Sequence, residues 1–276
     1  MSIRDLDGKA VVVTGGASGI GKATVLGLAR RGARIAMIDL RDEDIALCVD
    51  EVGALGANIF GLAANVADEK AMTDAAARII DHLGEVHGLV TCAGTSASGR
   101  AEDHSLTDWH RVMDVNVLGT FIACQQFGRG MIAAGRGSIV CIGSLDGIGA
   151  HAGRIAYSVS KFAVHGLVKN LALEWARHGL RVNCIAPTIV DTPLVRRGLP
   201  DYFLDVVVDR TPAARIGQAD DIANVVLMLL DDDASYVNGA VIPVDGGISV
   251  GFFNRLSGAD LQSNQLLNAG IYDPQQ

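Results

Sequence analysis

The amino-acid sequence predicts a single α/β domain in which a parallel seven-stranded sheet is doubly wound, with helices on both faces. Short β-branched runs alternate with longer segments of helical period from residue 9 onward. Runs such as residues 11–13 and 139–142 are apolar throughout, as expected of strands covered on both faces. The predicted strands are residues 9–14, 34–39, 58–63, 88–92, 138–142, 181–185 and 240–244.

The composition is that of a globular protein with one core. The 276 residues are 49% hydrophobic and 20% charged, which suits a single large domain. The formal net charge of -8 argues against binding to nucleic acid or to an anionic membrane surface. Because no apolar run reaches about 18 residues and none follows the amino terminus, we expect a cytoplasmic protein without a membrane span.

The five cysteines are widely spread and form no Cys-x-x-Cys pair. No histidine stands near them at the spacing of metal ligands, so we expect free thiols in a reducing compartment and no metal site. Cys141 and Cys184 lie inside predicted strands, which favours buried and unreactive thiols.

Two segments interrupt the alternation of strands and helices. Residues 191–218 are rich in aliphatic side chains and arginine, and residues 251–276 follow the last predicted strand. We interpret both as additions to the core. The predicted organisation is one domain over residues 1–250 and a C-terminal extension over residues 251–276.

A glycine-rich turn follows the first predicted strand and precedes a helical pattern over residues 22–31. Gly15, Gly19 and Gly21 would let the backbone turn tightly and approach a pyrophosphate. The start of the helix would offer free N–H groups to the same ligand. Glycines also serve ordinary turns, and the spacing differs from the commoner G-x-G-x-x-G, so the order of strand, turn and helix is the stronger signal. It predicts a Rossmann-type dinucleotide site.

Asp39 closes the second predicted strand, 18 residues after Gly21. A carboxylate at this place can accept hydrogen bonds from the adenosine ribose hydroxyls and would repel a 2′-phosphate, which favours NAD over NADP. Ala17 and Ser18 offer no positive charge for that phosphate, whereas Arg41 could supply one. The alternative interpretation is that Asp39 is a solvated turn residue.

Tyr157 and Lys161 stand four residues apart in a predicted helix over residues 156–178, so they share one face of it. The alternative is an ordinary amphipathic surface. Ser144 precedes Tyr157 by 13 residues and follows the predicted strand 138–142. Because the carboxyl ends of parallel strands line the ligand crevice, the three side chains are predicted to share a site.

Together with Cys92-Ala93-Gly94, residues 116–119 and residues 187–192, these motifs resemble the short-chain dehydrogenases/reductases over about residues 6–250. The resemblance implies hydride transfer at the nicotinamide, with Tyr157 as general acid or base. Ser144 would hold the substrate oxygen, and Lys161 would bind the nicotinamide ribose and favour the phenolate of Tyr157. Asn116 would keep a water in the proton relay.

The resemblance also implies a set of coenzyme-binding residues, with the backbone near Val190 and the hydroxyl of Thr192 holding the carboxamide. The set comprises Gly15, Ser18, Gly19, Ile20, Gly21, Asp39, Asn65, Val66, Cys92, Ala93, Gly94, Tyr157, Lys161, Pro187, Val190 and Thr192. Three positions depart from the family pattern. Thr91-Cys92 replaces Asn-Asn, Asn65 replaces Asp, and Thr188 replaces Gly, and none of these changes removes a catalytic atom.

By this resemblance the protein is an NAD-dependent homotetramer, with a dimer as the alternative, that interconverts a secondary alcohol and a ketone. Residues 191–218 would form a lid, and their apolar content favours a small hydrophobic or cyclic substrate. His151 would border the pocket, either as a solvated loop residue or as a substrate contact. The remaining alternatives are another redox step, as in an epimerase or enone reductase, and a non-catalytic dinucleotide-binding protein.

Overall fold

The computed structural model describes residues 6–198 and 201–251, and it confirms the predicted doubly wound fold. A parallel seven-stranded sheet has the strand order β3-β2-β1-β4-β5-β6-β7. The strands are β1 Ala10–Thr14, β2 Arg34–Asp39, β3 Ile59–Ala63, β4 Gly88–Thr91, β5 Gly137–Ile142, β6 Leu180–Pro187 and β7 Val241–Val244. Apart from Gly251, the predicted C-terminal extension lies outside the described residues.

Helices cover both faces of this sheet. They are α1 Gly19–Arg30, α2 Asp42–Gly53, α3 Glu69–Leu83, α4 Leu106–Met113, α5 Gly119–Ala134, α6 Ile155–Trp175, α7 Pro193–Gly198, α8 Asp201–Arg210 and α9 Ala219–Leu230. A π-helical turn, Asp114–Leu118, joins α4 to α5. None of the helices in the described ranges is long and apolar enough to cross a membrane.

Two predicted helix boundaries differ from the structure, at the start of α1 and at the end of α6. The helix α1 begins at Gly19 rather than at Lys22, so two of the turn glycines belong to its first turn. The helix α6 ends at Trp175, earlier than predicted, and residues 176–178 continue as a tighter 3-10 turn. Gly179 then adopts the left-handed conformation that ends many helices.

Successive residues of β1 alternate between two apolar layers. Ala10 and Val12 belong to the layer under α3, α5 and α6, whereas Val11 and Val13 belong to the layer under α1, α2 and α9. Every residue of β1 is buried, which explains the uninterrupted apolar run in the sequence.

The cysteines are free thiols, as predicted from their spacing. Cys141 and Cys184 face each other across β5 and β6 and are fully buried. Burial raises the pKa of Cys184 to about 12, so this thiol stays protonated and unreactive at neutral pH.

Candidate active site

The glycine-rich turn lies between β1 and α1 and is drawn tightly against neighbouring backbone. The N–H of Gly15 donates to the carbonyl oxygen of Ile38 at 2.8 Å, and both Gly15 and Gly19 have positive φ angles, of 65° and 51°. A Cβ atom at Gly21 would lie 1.9 Å from the carbonyl oxygen of Gly15. The turn therefore requires glycine at position 21, and it exposes backbone N–H groups at the start of α1.

A cleft of about 730 Å³ opens beside this turn and collects most of the predicted coenzyme-binding residues. Those in its lining are Gly15, Ser18, Gly19, Ile20, Gly21, Asp39, Asn65, Val66, Cys92, Ala93, Gly94 and Thr192. Tyr157, Lys161, Pro187 and Val190 are not in the lining. The sequence analysis missed Leu40, Asp44, Thr95, Arg111 and Val115, which also line the cleft and carry no motif.

Asp39 is held at the far end of the cleft by two backbone N–H groups. Its carboxylate accepts from Ala17 at 2.9 Å and from Leu40 at 2.7 Å. Arg41, which could have offset the charge of Asp39, instead donates to Asp44 at 2.7 Å. Asp39, Arg41 and Asp44 all line the cleft, and the ion pair with Asp44 offsets the charge of Arg41 there.

Asn65 lies on the same cleft and uses its side-chain oxygen locally. This oxygen accepts from the N–H of Ala67 at 3.1 Å, in a turn that precedes α3. An amide oxygen has two lone pairs, so one remains for a coenzyme amino group.

Lys161 is buried beneath Tyr157 on α6. Its Nζ donates to the carbonyl oxygen of Ile142 at 2.8 Å, and it lies 5.6 Å from the centroid of the Tyr157 ring. The structure therefore brings the phenol and the ammonium to one place at the carboxyl end of β5. This hydrogen bond uses one of the three donors of Lys161 and leaves two for other partners.

Asn116 is buried in the π-helical turn, and protein groups occupy its amide. The amide nitrogen donates to the carbonyl oxygen of Thr95 and to the hydroxyl of Ser160, each at 2.9 Å. Its oxygen accepts from the N–H of Thr95 at 2.8 Å. Asn116 thereby ties the loop after β4 to α6, and its role in holding a water stays a prediction. Ser160, next to Lys161, is a supporting residue that the sequence analysis missed.

The segment that carries Ser144, residues 143–147, is packed against His165 of α6. A Cβ atom at Gly143 would lie 2.3 Å from His165 Nε2, and one at Gly147 would lie 2.5 Å from its Cε1. Ser144 itself is buried and accepts from the N–H of Asp146 at 3.1 Å. The glycines on both sides of Ser144 therefore make room for the imidazole, and burial lowers the pKa of His165.

His151 lies in the exposed loop before α6, and its Nδ1 is hydrogen-bonded to the buried carboxylate of Asp146. This hydrogen bond raises the pKa of His151. Arg154 follows in the same loop, with its guanidinium carbon 4.7 Å from the centroid of the Tyr157 ring. Neither Asp146 nor Arg154 belongs to a motif that the sequence analysis singled out.

A second cleft, of about 360 Å³, lies at the amino-terminal ends of β1, β4, β5 and β6, opposite the strand ends near Ser144 and Lys161. Ion pairs link its cations to nearby carboxylates, Lys9 to Asp232 at 2.7 Å and Arg136 to Glu85 at 2.7 Å. It is therefore a surface groove whose Lys9 and Arg136 are already in ion pairs, and it is remote from Tyr157. Within the described part of the chain, no group of three or more histidine, cysteine or acidic side chains could hold a metal ion.

Comparison with known proteins shows that the chain is similar to dehydrogenases and reductases. A family model described as enoyl-(acyl carrier protein) reductase matches residues 15–249. The chain is 38% identical to D-threitol dehydrogenase of Mycolicibacterium smegmatis, over 89% of this chain and 94% of that protein. It is 34% identical to 3-alpha-(or 20-beta)-hydroxysteroid dehydrogenase of Mycobacterium tuberculosis, over 94% and 96%. A 3-oxoacyl-[acyl-carrier protein] reductase of Brucella melitensis, solved with bound NAD, superposes with a TM-score of 0.82 at 31% identity, covering 89% and 93%.

Proposed function

Because the chain belongs to the short-chain dehydrogenase/reductase family, we propose that it interconverts a secondary alcohol and a ketone with NAD as coenzyme. The observation that carries this proposal is the buried Lys161 beside the ring of Tyr157, at the strand ends where Ser144 also lies. A phenol next to a cation can exchange a proton with an alcohol oxygen.

The glycine turn fits a dinucleotide coenzyme. The missing side chain at Gly21 lets α1 begin directly against the carbonyl oxygen of Gly15, and the start of α1 supplies N–H donors for a pyrophosphate. When bound, NADH supplies the hydride. We propose that Asp39 binds the adenosine ribose and that Lys161 binds the nicotinamide ribose. The backbone near Val190 and the hydroxyl of Thr192 bind the carboxamide.

The proton is moved by residues of this chain. In ketone reduction, the Tyr157 hydroxyl donates its proton to the carbonyl oxygen, and the Ser144 hydroxyl donates a hydrogen bond to the same oxygen. Lys161 favours the resulting phenolate by its charge. In oxidation the steps reverse, and the phenolate accepts the proton of the alcohol. The hydrogen bond between Asn116 and Ser160, the neighbour of Lys161, holds the loop after β4 against α6 during this proton transfer.

NAD is the proposed coenzyme because a 2′-phosphate would meet the carboxylate of Asp39. Arg41 lines the same cleft, but its ion pair with Asp44 offsets its charge, which supports this choice. The bound NAD of the related Brucella melitensis reductase is consistent with the same preference.

For the substrate we propose a small molecule with a hydrophobic or cyclic body. The related hydroxysteroid dehydrogenase provides one precedent, and the related threitol dehydrogenase shows that polyols are a competing class. In the segment over residues 191–218, Leu194 and Tyr202 are exposed and could cover such a body. We propose that this segment acts as a lid that orders over bound coenzyme and substrate.

We also propose that the protein is a homotetramer. Phe121 on α5 and Phe162 and Leu173 on α6 are large apolar side chains that remain exposed in one chain. A second copy of the same helices would bury them in a symmetric interface. Light scattering at micromolar concentration tests this assembly, and a monomer would contradict it.

Reduction of a carbon–carbon double bond is a second candidate, because the matching family model is described as an enoyl reductase. The two reactions are separated by presenting cyclohexanone and cyclohexenone with NADH and identifying the products. Formation of an alcohol from either compound supports the proposed function. Formation of cyclohexanone from cyclohexenone, without alcohol, supports the second candidate, and binding of NADH without turnover of any ketone or alcohol in a broad panel supports a non-catalytic protein.

A further inference from the structure

Arg154 covers one face of the proposed catalytic tyrosine. Its guanidinium carbon is 4.7 Å from the centroid of the Tyr157 ring, and its Nε is buried without a hydrogen-bond partner among the described residues. Its backbone is fixed by a bridge to Gly99, whose N–H donates to the carbonyl oxygen of Gly153 at 2.9 Å. The guanidinium is thus held next to the reacting phenol, with an unused donor.

Arg210, the last residue of α8, brings a second positive charge to this region. The hydrogen bond to the carboxylate of Asp146 raises the pKa of His151, while the charges of Arg154 and Arg210 oppose that rise. Arg154 adjoins His151, because its backbone N–H donates to the carbonyl oxygen of that residue at 3.3 Å, and the charge of Arg210 acts on the same imidazole. Across residues 6–198 and 201–251, neither arginine forms an ion pair, and the nearby carboxylate of Asp146 is engaged by His151.

The carboxylate of Asp146 offsets only part of this positive charge. The charges of two guanidinium groups act on the His151 imidazole, which is hydrogen-bonded to this one carboxylate, so the local charge is positive and self-repelling. A solvated surface arginine would keep its donors in water, but the Nε of Arg154 is removed from solvent. An anion that enters from the substrate side and binds the terminal nitrogens of the guanidinium would relieve the repulsion.

We propose that Arg154, assisted by Arg210, binds a carboxylate of the substrate, which makes the substrate a hydroxy acid or the matching keto acid. A guanidinium can hold both oxygens of a carboxylate in parallel hydrogen bonds. The alcohol or ketone carbon then lies at the Tyr157 hydroxyl and the carboxylate beside the ring. This inference rests on the proposed function for the reaction, and adds an anionic group to the hydrophobic or cyclic body.

The first test measures binding and needs no turnover. Cyclohexanecarboxylate and cyclohexanecarboxamide are titrated calorimetrically into the NADH-saturated protein. We expect the carboxylate to bind at least about tenfold more tightly, since hydrogen bonds to charged groups are the stronger ones. Arg154→Gln should bring the two ligands within about twofold of each other, and Arg154→Lys should keep part of the preference. Arg177→Gln, at an exposed arginine after α6, is the matched control and should keep all of it.

Equal binding of the two ligands to the unaltered protein would overturn the proposal, as would a preference that survives Arg154→Gln. Unchanged affinity for NADH shows that Arg154→Gln keeps its fold and coenzyme site. If that variant does not fold, Arg210→Gln takes its place, because Arg210 is exposed at a helix end. A smaller preference in Arg210→Gln supports the proposal, and an unchanged one contradicts it.

A second test separates this inference from the proposed function. The unaltered protein is offered 4-oxocyclohexanecarboxylate and 4-oxocyclohexanecarboxamide with NADH. A higher kcat/KM for the carboxylate, lost in Arg154→Gln, supports both proposals. Equal kcat/KM for the two ketones keeps the reaction and refutes the carboxylate site. No reduction of either ketone, together with a carboxylate preference in the calorimetry, keeps the carboxylate site and counts against the reaction.

Discussion

The carboxylate of Asp39 accepts a hydrogen bond from the backbone N–H of Ala17 at 2.9 Å. The residue proposed to select the coenzyme is therefore also a brace between the end of β2 and the glycine turn. Removing the side chain would change the charge of the cleft and the geometry of the turn together. A change of charge alone requires a residue that can still accept this hydrogen bond.

We predict that Asp39→Asn narrows the preference for NAD over NADP by about tenfold or more, because it removes the charge that repels a 2′-phosphate. The amide oxygen can still accept from Ala17, so affinity for NADH should fall little. Asp39→Ala should weaken the binding of both coenzymes as well. The measurement is kcat/KM for each coenzyme with one ketone, and equal values in the unaltered protein would refute the assignment.

Tyr157→Phe removes the proposed proton-transferring atom and keeps the ring under Arg154. Turnover should fall by about 10² to 10⁴, while NADH binding stays nearly unchanged. Initial-rate assays of NADH oxidation measure turnover, and fluorescence titration measures NADH binding. A variant that retained more than about a tenth of the turnover would show that another group transfers the proton.

Lys161→Ala should affect both coenzyme binding and chemistry, because Lys161 is assigned to the nicotinamide ribose and lies 5.6 Å from the Tyr157 ring centroid. Affinity for NADH should fall, and the pH at which alcohol oxidation reaches half its maximum should move upward. At 4 Å and an effective dielectric constant near 20, a charge pair is worth at most about 4 kcal/mol, which bounds the effect. An unmoved pH profile with unchanged NADH affinity would contradict both roles.

Gly21→Ala should damage the coenzyme site, because its Cβ would lie 1.9 Å from the carbonyl oxygen of Gly15. Backbone must move to admit the methyl group, at a cost of about 1–3 kcal/mol in the free energy of unfolding. Affinity for NADH should fall with it. Gly53→Ala is the matched control, since a Cβ at that helical residue meets nothing within 4 Å. Thermal melts and NADH titration should therefore show a lower Tm and a weaker affinity for NADH in Gly21→Ala than in Gly53→Ala.

His165 should make the protein sensitive to mild acid. Burial lowers its folded-state pKa below the ordinary 6.5, so the unfolded chain binds more protons as pH falls. The stability that the neutral imidazole contributes is complete above pH 6.5 and is lost progressively as pH falls from there towards the folded-state pKa. We expect the Tm of the unaltered protein to fall more between pH 7.5 and 5.5, about one unit on each side of 6.5, than that of His165→Gln. His178→Gln, at an exposed histidine, should follow the unaltered protein.

Much of the fold followed from periodicity alone. Each predicted strand lies within one residue of the observed strand except β6, which runs from Leu180 to Pro187 and is longer than predicted. It pairs with β5 and β7 along this length and is buried there, so tertiary contacts extend it beyond its apolar centre. Helix ends were less predictable, because Gly19 and Gly179 act through backbone conformation rather than through hydrophobic pattern.

The candidate site was predictable where residues form motifs and unpredictable where they act through contacts. The four-residue spacing of Tyr157 and Lys161 predicts that they share one helix face, and in the structure the Nζ of Lys161 lies 5.6 Å from the centroid of the Tyr157 ring. Ser160 and His165 lie on the same helix but meet their partners, Asn116 and the glycines beside Ser144, only after the chain has folded. No pattern in one sequence indicates such long-range pairs.

The helix α6 combines Tyr157, Lys161 and His165 at intervals of four residues, with Lys161 and His165 buried. Variation along this face would disturb chemistry and folding at once, so natural selection has little freedom there. The loop before α6, with the exposed His151, and the short helices α7 and α8 contain fewer residues that serve both chemistry and folding. New substrate preferences would therefore evolve most readily in these segments, and a mutant library confined to them should yield more folded enzymes of altered specificity than one directed at α6.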